Sequence, residues 1–181
     1  MDNRKRFQMI DLTFFTILAV ASEFMSLYFI RIFSEAGYVI SFSFLISLIA
    51  IYRWGSIGAI PYVASGIVML LLHLENDQMI YQILYYIVAN LMIALTPLLF
   101  KFIKKDKLKH SSSLLFLYIL FPLICITIGK GLMILIFEHT AAGFINYFAS
   151  QLFIMIISYL ILYIVSKKDG LLEDMHTYIQ S

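Results

Sequence analysis

The segment SLLFLYILFPLICITIGKGLMILIF, Ser113–Phe137, is apolar over a length that crosses a lipid bilayer as one α-helix. Its single charged residue is Lys130, which stands between Gly129 and Gly131. A lysine near the centre of a membrane helix costs roughly 2.5–3.5 kcal/mol to insert, so it usually faces a cavity, a partner or a ligand. The segment therefore predicts a membrane helix that also contributes to a polar site within a helical bundle.

Five further apolar runs occur along the chain, and together with this segment they predict a bundle of six transmembrane helices. The runs are approximately Met9–Phe33, Tyr38–Tyr52, Ser56–Leu74, Met79–Phe100 and Phe144–Ser166. The second run is short, and it needs burial in the bundle or local thinning of the bilayer to span. We therefore predict one all-α integral membrane domain over residues 1–181, with a polar tail at 167–181.

The amino-acid composition points to the same class of protein. Hydrophobic residues make up 62% of the 181 residues and charged residues only 13%, which is typical of an integral membrane protein and excludes a soluble domain. The net charge of +2 is too small to argue for a nucleic-acid partner. The bilayer itself is therefore the first partner that the sequence predicts.

Basic residues are distributed unequally between the two sides of the predicted bundle. If the N-terminus is inside, the outer segments contain only Arg31. The cytoplasmic segments then contain Arg4, Lys5, Arg6, Arg53, Lys101, Lys104, Lys105, Lys107, Lys109, Lys167 and Lys168. By the positive-inside rule, we predict a plasma-membrane protein with both termini in the cytoplasm.

Polar residues recur in the outer halves of the fourth and sixth runs. Gln82, Tyr86 and Asn90 are spaced every four residues and share one helical face. In the outer half of the sixth run, Asn146 and Ser150 share a face, and Tyr147 and Gln151 lie beside them. Such groups either hydrogen-bond between helices, at about 0.6 kcal/mol each, or line a pocket. Two polar faces at the depth of Lys130 and Glu23 favour the pocket. The candidate substrate-binding residues are Glu23, Tyr86, Asn90, Lys130, Asn146 and Gln151.

Glu23 is the only acidic residue that lies as deep in an apolar run as Lys130 does. Both stand roughly 10–15 Å from the outer ends of their helices, counted at the α-helical rise. An ion pair between them would let each side chain remain charged. Without that pair, Lys130 can meet an anionic ligand group and Glu23 a cationic or amide group. The sequence leaves both alternatives open.

Small residues cluster where the third run begins. Gly55 and Ala59 form a small-xxx-small pair, which lets helix backbones approach closely, and Gly58 lies between them. Packing within the bundle and docking of a partner subunit explain this pattern equally well. No pattern typical of catalysis accompanies it: the chain has no Gly-x-Ser-x-Gly, His-Glu-x-x-His or Walker A motif. We therefore expect no enzymatic activity, no cofactor and no metal site, and any use of ATP must come from another chain.

Two stretches carry a resemblance to a known family. They run from Ile40 through Tyr52, Arg53, Trp54 and Gly55 to Ile60, and then over Ala64-Ser65-Gly66. With its length and six predicted helices, the chain resembles the substrate-binding S component of energy-coupling factor (ECF) transporters. The resemblance implies capture of a vitamin or related micronutrient near the outer face, followed by ATP-driven uptake.

The same resemblance implies specific partners and sites. A transmembrane T subunit would dock on the first three helices, which assigns the docking role to Ala19, Gly55, Gly58 and Ala59, and two ATPase subunits would drive release. Ligand sites of the family draw on the outer halves of helices four to six. A different class of function stays open: a non-enzymatic membrane scaffold similar to the rod-shape protein MreD, in cell-shape or envelope assembly. Its polar residues would be structural, and it would need no ligand.

Overall fold

The computed structural model describes residues 3–32, 41–74, 76–137 and 141–168, together with Leu172 and Met175. Every regular element in these ranges is helical, and they contain no strand. The helices are α1 (Asn3–Ile32), α2 (Ser43–Trp54), α3 (Ile60–Leu72), α4 (Met79–Lys101), α5 (Lys105–His110), α6 (Ser112–Phe137) and α7 (Ala141–Ser166). Three parts of the predicted segments lie outside the described residues: residue 33 at the end of the first run, residues 38–40 at the start of the second run, and most of the tail.

Helix α1 begins six residues before the predicted start, because the polar segment from Asn3 continues the helix beyond its apolar part. The third predicted run instead begins with a 3₁₀ segment, Gly55–Ala59, that leads into α3. Pro61 lies in the first turn of α3, where its missing N–H breaks no helical hydrogen bond. Helix α2 begins at Ser43, five residues after the predicted start of the second run, and residues 41 and 42 are not helical. The other described ends lie within three residues of the predicted ones.

The chain reverses direction between α2 and α3. Gly55 has a φ of 65°, which a residue with a side chain rarely adopts. Gly58 then lies so close to α2 that a Cβ on it would meet the Ala50 carbonyl carbon at 2.3 Å. A side chain at Gly58 would collide with α2, and one at Gly55 would strain the backbone, so the two glycines favour an antiparallel α2–α3 hairpin.

Helix α2 lies at the centre of the bundle. It packs against α1, α3 and the end of α4, and nearly all of its residues are buried. Its 12 residues cover only about 18 Å at the α-helical rise, well short of the ~30 Å hydrocarbon core. Of the two alternatives for this short run, burial in the bundle is the one that the fold displays.

Five stretches of the described chain are long and apolar enough to cross a membrane, with Ser43–Leu72 counted as one. The reversal at Gly55 divides that stretch in two. The fold therefore contains five to six apolar helices that could span a bilayer, which fits a multi-pass membrane protein. Large apolar side chains on the outside of the bundle, such as Ile17 on α1 and Ile164 on α7, are about 60% exposed and suit contact with lipid.

A buried polar cluster ties α1 to the end of α2. Arg53 Nε donates to Asp11 Oδ2 at 2.8 Å, and Trp54 Nε1 donates to the same oxygen at 2.6 Å. Arg53 is buried, and its guanidinium also lies 5.9 Å from the centre of the Phe15 ring. Met175 from the C-terminal tail packs into the apolar group beside this cluster. The tail is therefore part of the core at this point.

Successive long helices alternate in direction. Residues from every long helix therefore lie at each end of the bundle. One end, which we call the basic end, holds Arg53, Lys101, Lys105 and Lys167. There Tyr118 Oη donates to the carbonyl of Leu48 at 2.7 Å. The opposite end, called the cavity end below, holds the polar residues predicted to bind a ligand.

Candidate ligand-binding site

A cavity of about 280 Å³ opens among the helices at the cavity end. The last part of α1, the start of α2, most of the length of α3, the early part of α4, the last part of α6 and the early part of α7 all contribute to its wall. Five predicted site residues line it together: Glu23, Tyr86, Asn90, Lys130 and Gln151. The side chain of the sixth, Asn146, lies outside the described residues.

Lys130 projects from α6 between two aromatic rings of the cavity wall. Its Nζ lies 4.9 Å from the centre of the Tyr85 ring and 5.9 Å from that of Tyr62. Both distances are within the range of a cation–π interaction, which partly offsets the loss of hydration. In the described part of the chain, the only ion pair within 4.0 Å is Arg53–Asp11, so Lys130 has no carboxylate partner there. The ammonium group is thus placed to meet a negative charge from outside the chain.

The two glycines beside Lys130 explain how its helix can sit so close to its neighbours. A Cβ on Gly129 would lie 3.3 Å from the Ala89 side chain on α4, and one on Gly131 would lie 2.4 Å from the Phe144 ring on α7. Larger residues at these positions would push α6 away from α4 and α7. The glycines therefore allow a three-helix junction that directs Lys130 toward the cavity.

Glu23 is buried on α1 and is held by two serines at the start of α2. Ser41 Oγ donates to Glu23 Oε1 at 2.7 Å, and Ser43 Oγ donates to the same oxygen. The Ser43 backbone N–H donates in turn to Ser41 Oγ at 3.2 Å. The serines satisfy one carboxylate oxygen and fix the glutamate side chain at the cavity wall. Glu23 and Lys130 consequently line one cavity without forming a direct ion pair.

Asn90 on α4 carries an unsatisfied hydrogen-bond acceptor. The residue is only 3% exposed, and its Oδ1 has no hydrogen-bond partner among the described residues. Its amide lies against Gly66 on α3, where a Cβ would come within 2.4 Å of Nδ2 and 2.2 Å of the Tyr86 carbonyl oxygen. A buried, unpaired carbonyl costs about 1–3 kcal/mol in free energy, and this oxygen has almost no solvent-accessible surface.

Aromatic rings form most of the remaining wall. Tyr85 and Tyr86 meet edge to face at 5.0 Å, and the His73 ring stacks on Tyr86 at 6.0 Å. Tyr147 on α7 meets Tyr85 at 6.3 Å. Such surfaces favour flat, apolar parts of a ligand, whereas the few polar groups among them set its orientation.

Tyr85 and Tyr86 both face the cavity because α4 is not a regular helix here. A π segment, Leu84–Val88, interrupts it and is followed by a short α segment and the 3₁₀ segment Met92–Lys101. π segments are frequent at functional sites, since one extra residue per turn redirects side chains. Gln82 precedes the π segment and donates instead to the His73 carbonyl at 2.6 Å. The four-residue repeat predicted for Gln82, Tyr86 and Asn90 therefore does not place Gln82 on the cavity wall.

Several residues of the cavity were not among the predicted site residues. They are Leu27, Ser41, Ser43, Phe44, Tyr62, Gly66, Met69, His73, Tyr85, Tyr147, Ser150 and Ile154. Most are aromatic, small or apolar, and in an apolar run such residues look the same whether they face lipid or a cavity. The serine-bearing start of α2 gave a signal, as did Tyr147 and Ser150 on the polar face of the sixth run, because buried hydroxyls need partners.

The residues assigned to partner docking lie mainly inside the chain. Ala19 is fully buried, Ala59 is buried, and Gly58 packs against Ala50. Gly55 is half-buried at the turn. This placement favours the packing alternative for the small residues, while docking stays a prediction. As for metals, no group of three or more His, Cys, Asp or Glu side chains in the described part could hold an ion.

Fold and site together define an all-helical chain that fits a multi-pass membrane protein with a polar, aromatic-lined cavity at one end. Comparison with protein-family models, curated protein sequences and solved structures found no match for the chain. The particular function is therefore argued from the cavity and from the sequence resemblance.

Proposed function

We propose that the chain is a membrane-embedded substrate-binding subunit that captures a vitamin or related small micronutrient for an ECF-type importer. The observation that carries the proposal is the cavity itself. It combines an ammonium group without a carboxylate in contact, at Lys130, with aromatic walls and the buried carboxylate of Glu23. A lysine at this depth in a membrane helix usually faces a cavity, a partner or a ligand.

The proposal includes an orientation. Six spans with both termini in the cytoplasm would put the basic end inside, in accord with the positive-inside rule. The cavity end would then face the extracellular side, where a nutrient arrives. The chain itself would bind and release the nutrient without catalysis, and a T subunit and two ATPase subunits would supply the energy.

Co-purification and ligand binding test this function together. The tagged chain, isolated in mild detergent from the cells that express it, should carry a membrane partner and ATPases with Walker A motifs. A panel of vitamins should contain one compound that raises the unfolding temperature, since a ligand at 100 times its Kd adds about 2.7 kcal/mol to stability. Envelope-synthesis proteins as the only partners, with no stabilising compound, would support the scaffold instead.

A further inference from the structure

The cavity wall carries one charge of each sign, which narrows the class of ligand; this inference rests on the proposed function because it presumes a bound solute. Lys130 and Glu23 interact electrostatically across the cavity without direct contact. The other ionisable side chains of the wall are four tyrosines, which carry no charge at neutral pH, and His73, which is exposed to solvent at the rim. Lys130 and Glu23 therefore set the charge balance of the cavity interior.

Both charged groups can make a further contact from the cavity. Glu23 Oε1 already accepts from two serines of α2, whereas Oε2 has no hydrogen-bond donor among the described residues. Within that same part of the chain, the Lys130 ammonium contacts two tyrosine rings and donates no hydrogen bond. Neither Glu23 Oε2 nor Lys130 Nζ is among the unpaired atoms that are sealed from solvent, in contrast to Asn90 Oδ1. A solute in the cavity can therefore reach both charges.

A solute with a single charge would disturb the balance between these two groups. A buried charge is costly unless an opposite charge or hydrogen bonds compensate it. An anion on Lys130 would cancel the positive charge that compensates the Glu23 carboxylate, and a cation on Glu23 would do the same to Lys130. A solute that carries both charges compensates each group and leaves the net charge of the cavity unchanged.

The volume and the walls of the cavity indicate the body of such a solute. At about 280 Å³, the cavity lies just below the usual range for ligand pockets, roughly 300–1,000 Å³, so the solute is small. The four tyrosine rings of the wall favour a flat, apolar body. We propose that the cavity takes a small zwitterion with an aromatic body, whose anionic group binds the Lys130 ammonium and whose cationic group binds the Glu23 carboxylate.

Two sets of probes of matched size test this preference, one for each spacing of the two charges. L-Phenylalanine carries the charges close together, and its analogues are the cation phenylalaninamide and the anion 3-phenylpropanoate. The zwitterion 4-(aminomethyl)benzoate carries the charges across the ring, and its analogues are the cation 4-(aminomethyl)benzamide and the anion 4-methylbenzoate.

Calorimetric titrations of the purified full chain give the affinities. We expect the zwitterion of at least one set to bind roughly tenfold more tightly than both of its singly charged analogues, since each lost charged contact corresponds to about one power of ten. No such preference in either set, or no binding of any probe, would overturn the inference.

Two variants assign the preference to residues, because each leaves a single charge in the cavity. Lys130→Met keeps the carboxylate and should prefer the cationic analogue to the zwitterion, whereas Glu23→Gln keeps the ammonium and should prefer the anionic analogue. Lys107→Met, at an exposed lysine of the basic end, should keep the preference for the zwitterion. The same preference in all three variants would overturn the inference. Thermal unfolding checks that each variant folds, and the wild-type comparison stands if one does not.

The net charge of the native ligand separates this inference from the proposed function. A nutrient that the purified chain retains and that carries a net charge at neutral pH would overturn the zwitterion and leave the proposed function intact. Absence of any ligand and of transport partners would overturn the proposed function.

Discussion

At the scale of single residues, the relation between Lys130 and Glu23 decides between ligand binding and architecture. The two side chains line one cavity, but Glu23 bonds to Ser41 and Ser43 and Lys130 lies against Tyr85 and Tyr62. A lysine that served the fold through an ion pair would lie within 4 Å of its carboxylate. The geometry thus removes direct pairing as the reason for a lysine at this depth.

A double-mutant cycle of Lys130→Met and Glu23→Gln measures this relation. We expect a coupling energy in the free energy of unfolding that is clearly smaller than that of a contacting ion pair, because the two charges interact across one cavity without direct contact. Reversible unfolding in mixed micelles provides the measurement. Asp11→Asn combined with Arg53→Met is the positive control, since that pair is in direct contact at 2.8 Å. Coupling between Lys130 and Glu23 as large as in the control would make them a structural pair.

The Asp11 cluster should be the most sensitive polar site of the fold. Asp11→Ala leaves the buried Arg53 guanidinium and the Trp54 N–H without this carboxylate, so we expect a loss of about 3 kcal/mol in unfolding free energy. Asp106→Ala, at an exposed position of α5, should change stability by less than about 0.5 kcal/mol. Similar stability of the two variants would show that the cluster does not hold α1 to α2.

The sequence identified the charged members of the site, two amides and Tyr86, and it missed most of the other aromatic residues for a physical reason. Lys130 and Glu23 stand out because placing a charged side chain within an apolar membrane helix costs free energy. Tyr62 and Tyr85 do not, since an aromatic ring is equally suited to lipid, core or ligand. Which of these environments a tyrosine meets depends on how its helix is rotated, and the packing of the whole bundle sets that rotation.

At the scale of elements, α4 departs most from a plain apolar helix. Its π segment lets Tyr85 and Tyr86 line the cavity together, whereas adjacent residues of a regular helix point about 100° apart. Pro97 lies farther along in the 3₁₀ segment, where its missing N–H removes one hydrogen bond. The apolar pattern of Met79–Phe100 predicted a helix and its length. It does not indicate where the helix changes between α, π and 3₁₀ hydrogen bonding.

Deletion of Val88 tests the role of the π segment. Because that segment holds one extra residue, removal of this half-exposed side chain should restore an α-helical turn and keep the flanking faces in register. The protein should fold, with one tyrosine withdrawn from the cavity and ligand affinity lowered at least tenfold. Deletion of Ile124, equally exposed on the regular α6, should instead rotate Lys130 by about 100° and prevent folding. Equal effects of the two deletions would contradict this role.

At the scale of the whole molecule, the alternation of the helices places binding residues at one end and most basic residues at the other. Hydropathy predicted apolar helices long enough to cross a bilayer, and it predicted that the second run is short, because the bilayer thickness sets the length that a span needs. It did not predict that α1, α3 and the end of α4 surround α2. That arrangement follows from the Gly55 turn and from the close contact of Gly58 with Ala50, which are tertiary features.

The orientation of the bundle can be measured with single cysteines in a Cys125→Ser background. We expect Leu74→Cys, exposed near the cavity end, to react with a membrane-impermeant thiol reagent added to intact cells. Ser112→Cys, exposed at the start of α6, should react only after the cells are opened. The reverse pattern would place the cavity end in the cytoplasm and contradict uptake from outside.

The most direct test of the account is mass spectrometry of the small molecules that the purified chain retains. Wild-type protein and Lys107→Met, a control at an exposed lysine of the basic end, should release the same compound in near-stoichiometric amount. Lys130→Met should release at least roughly tenfold less of this compound, since a charged hydrogen bond contributes about 1.5–3 kcal/mol to the binding free energy. Equal retention by Lys130→Met, or no retained compound in any of the three proteins, would contradict a ligand site built around Lys130.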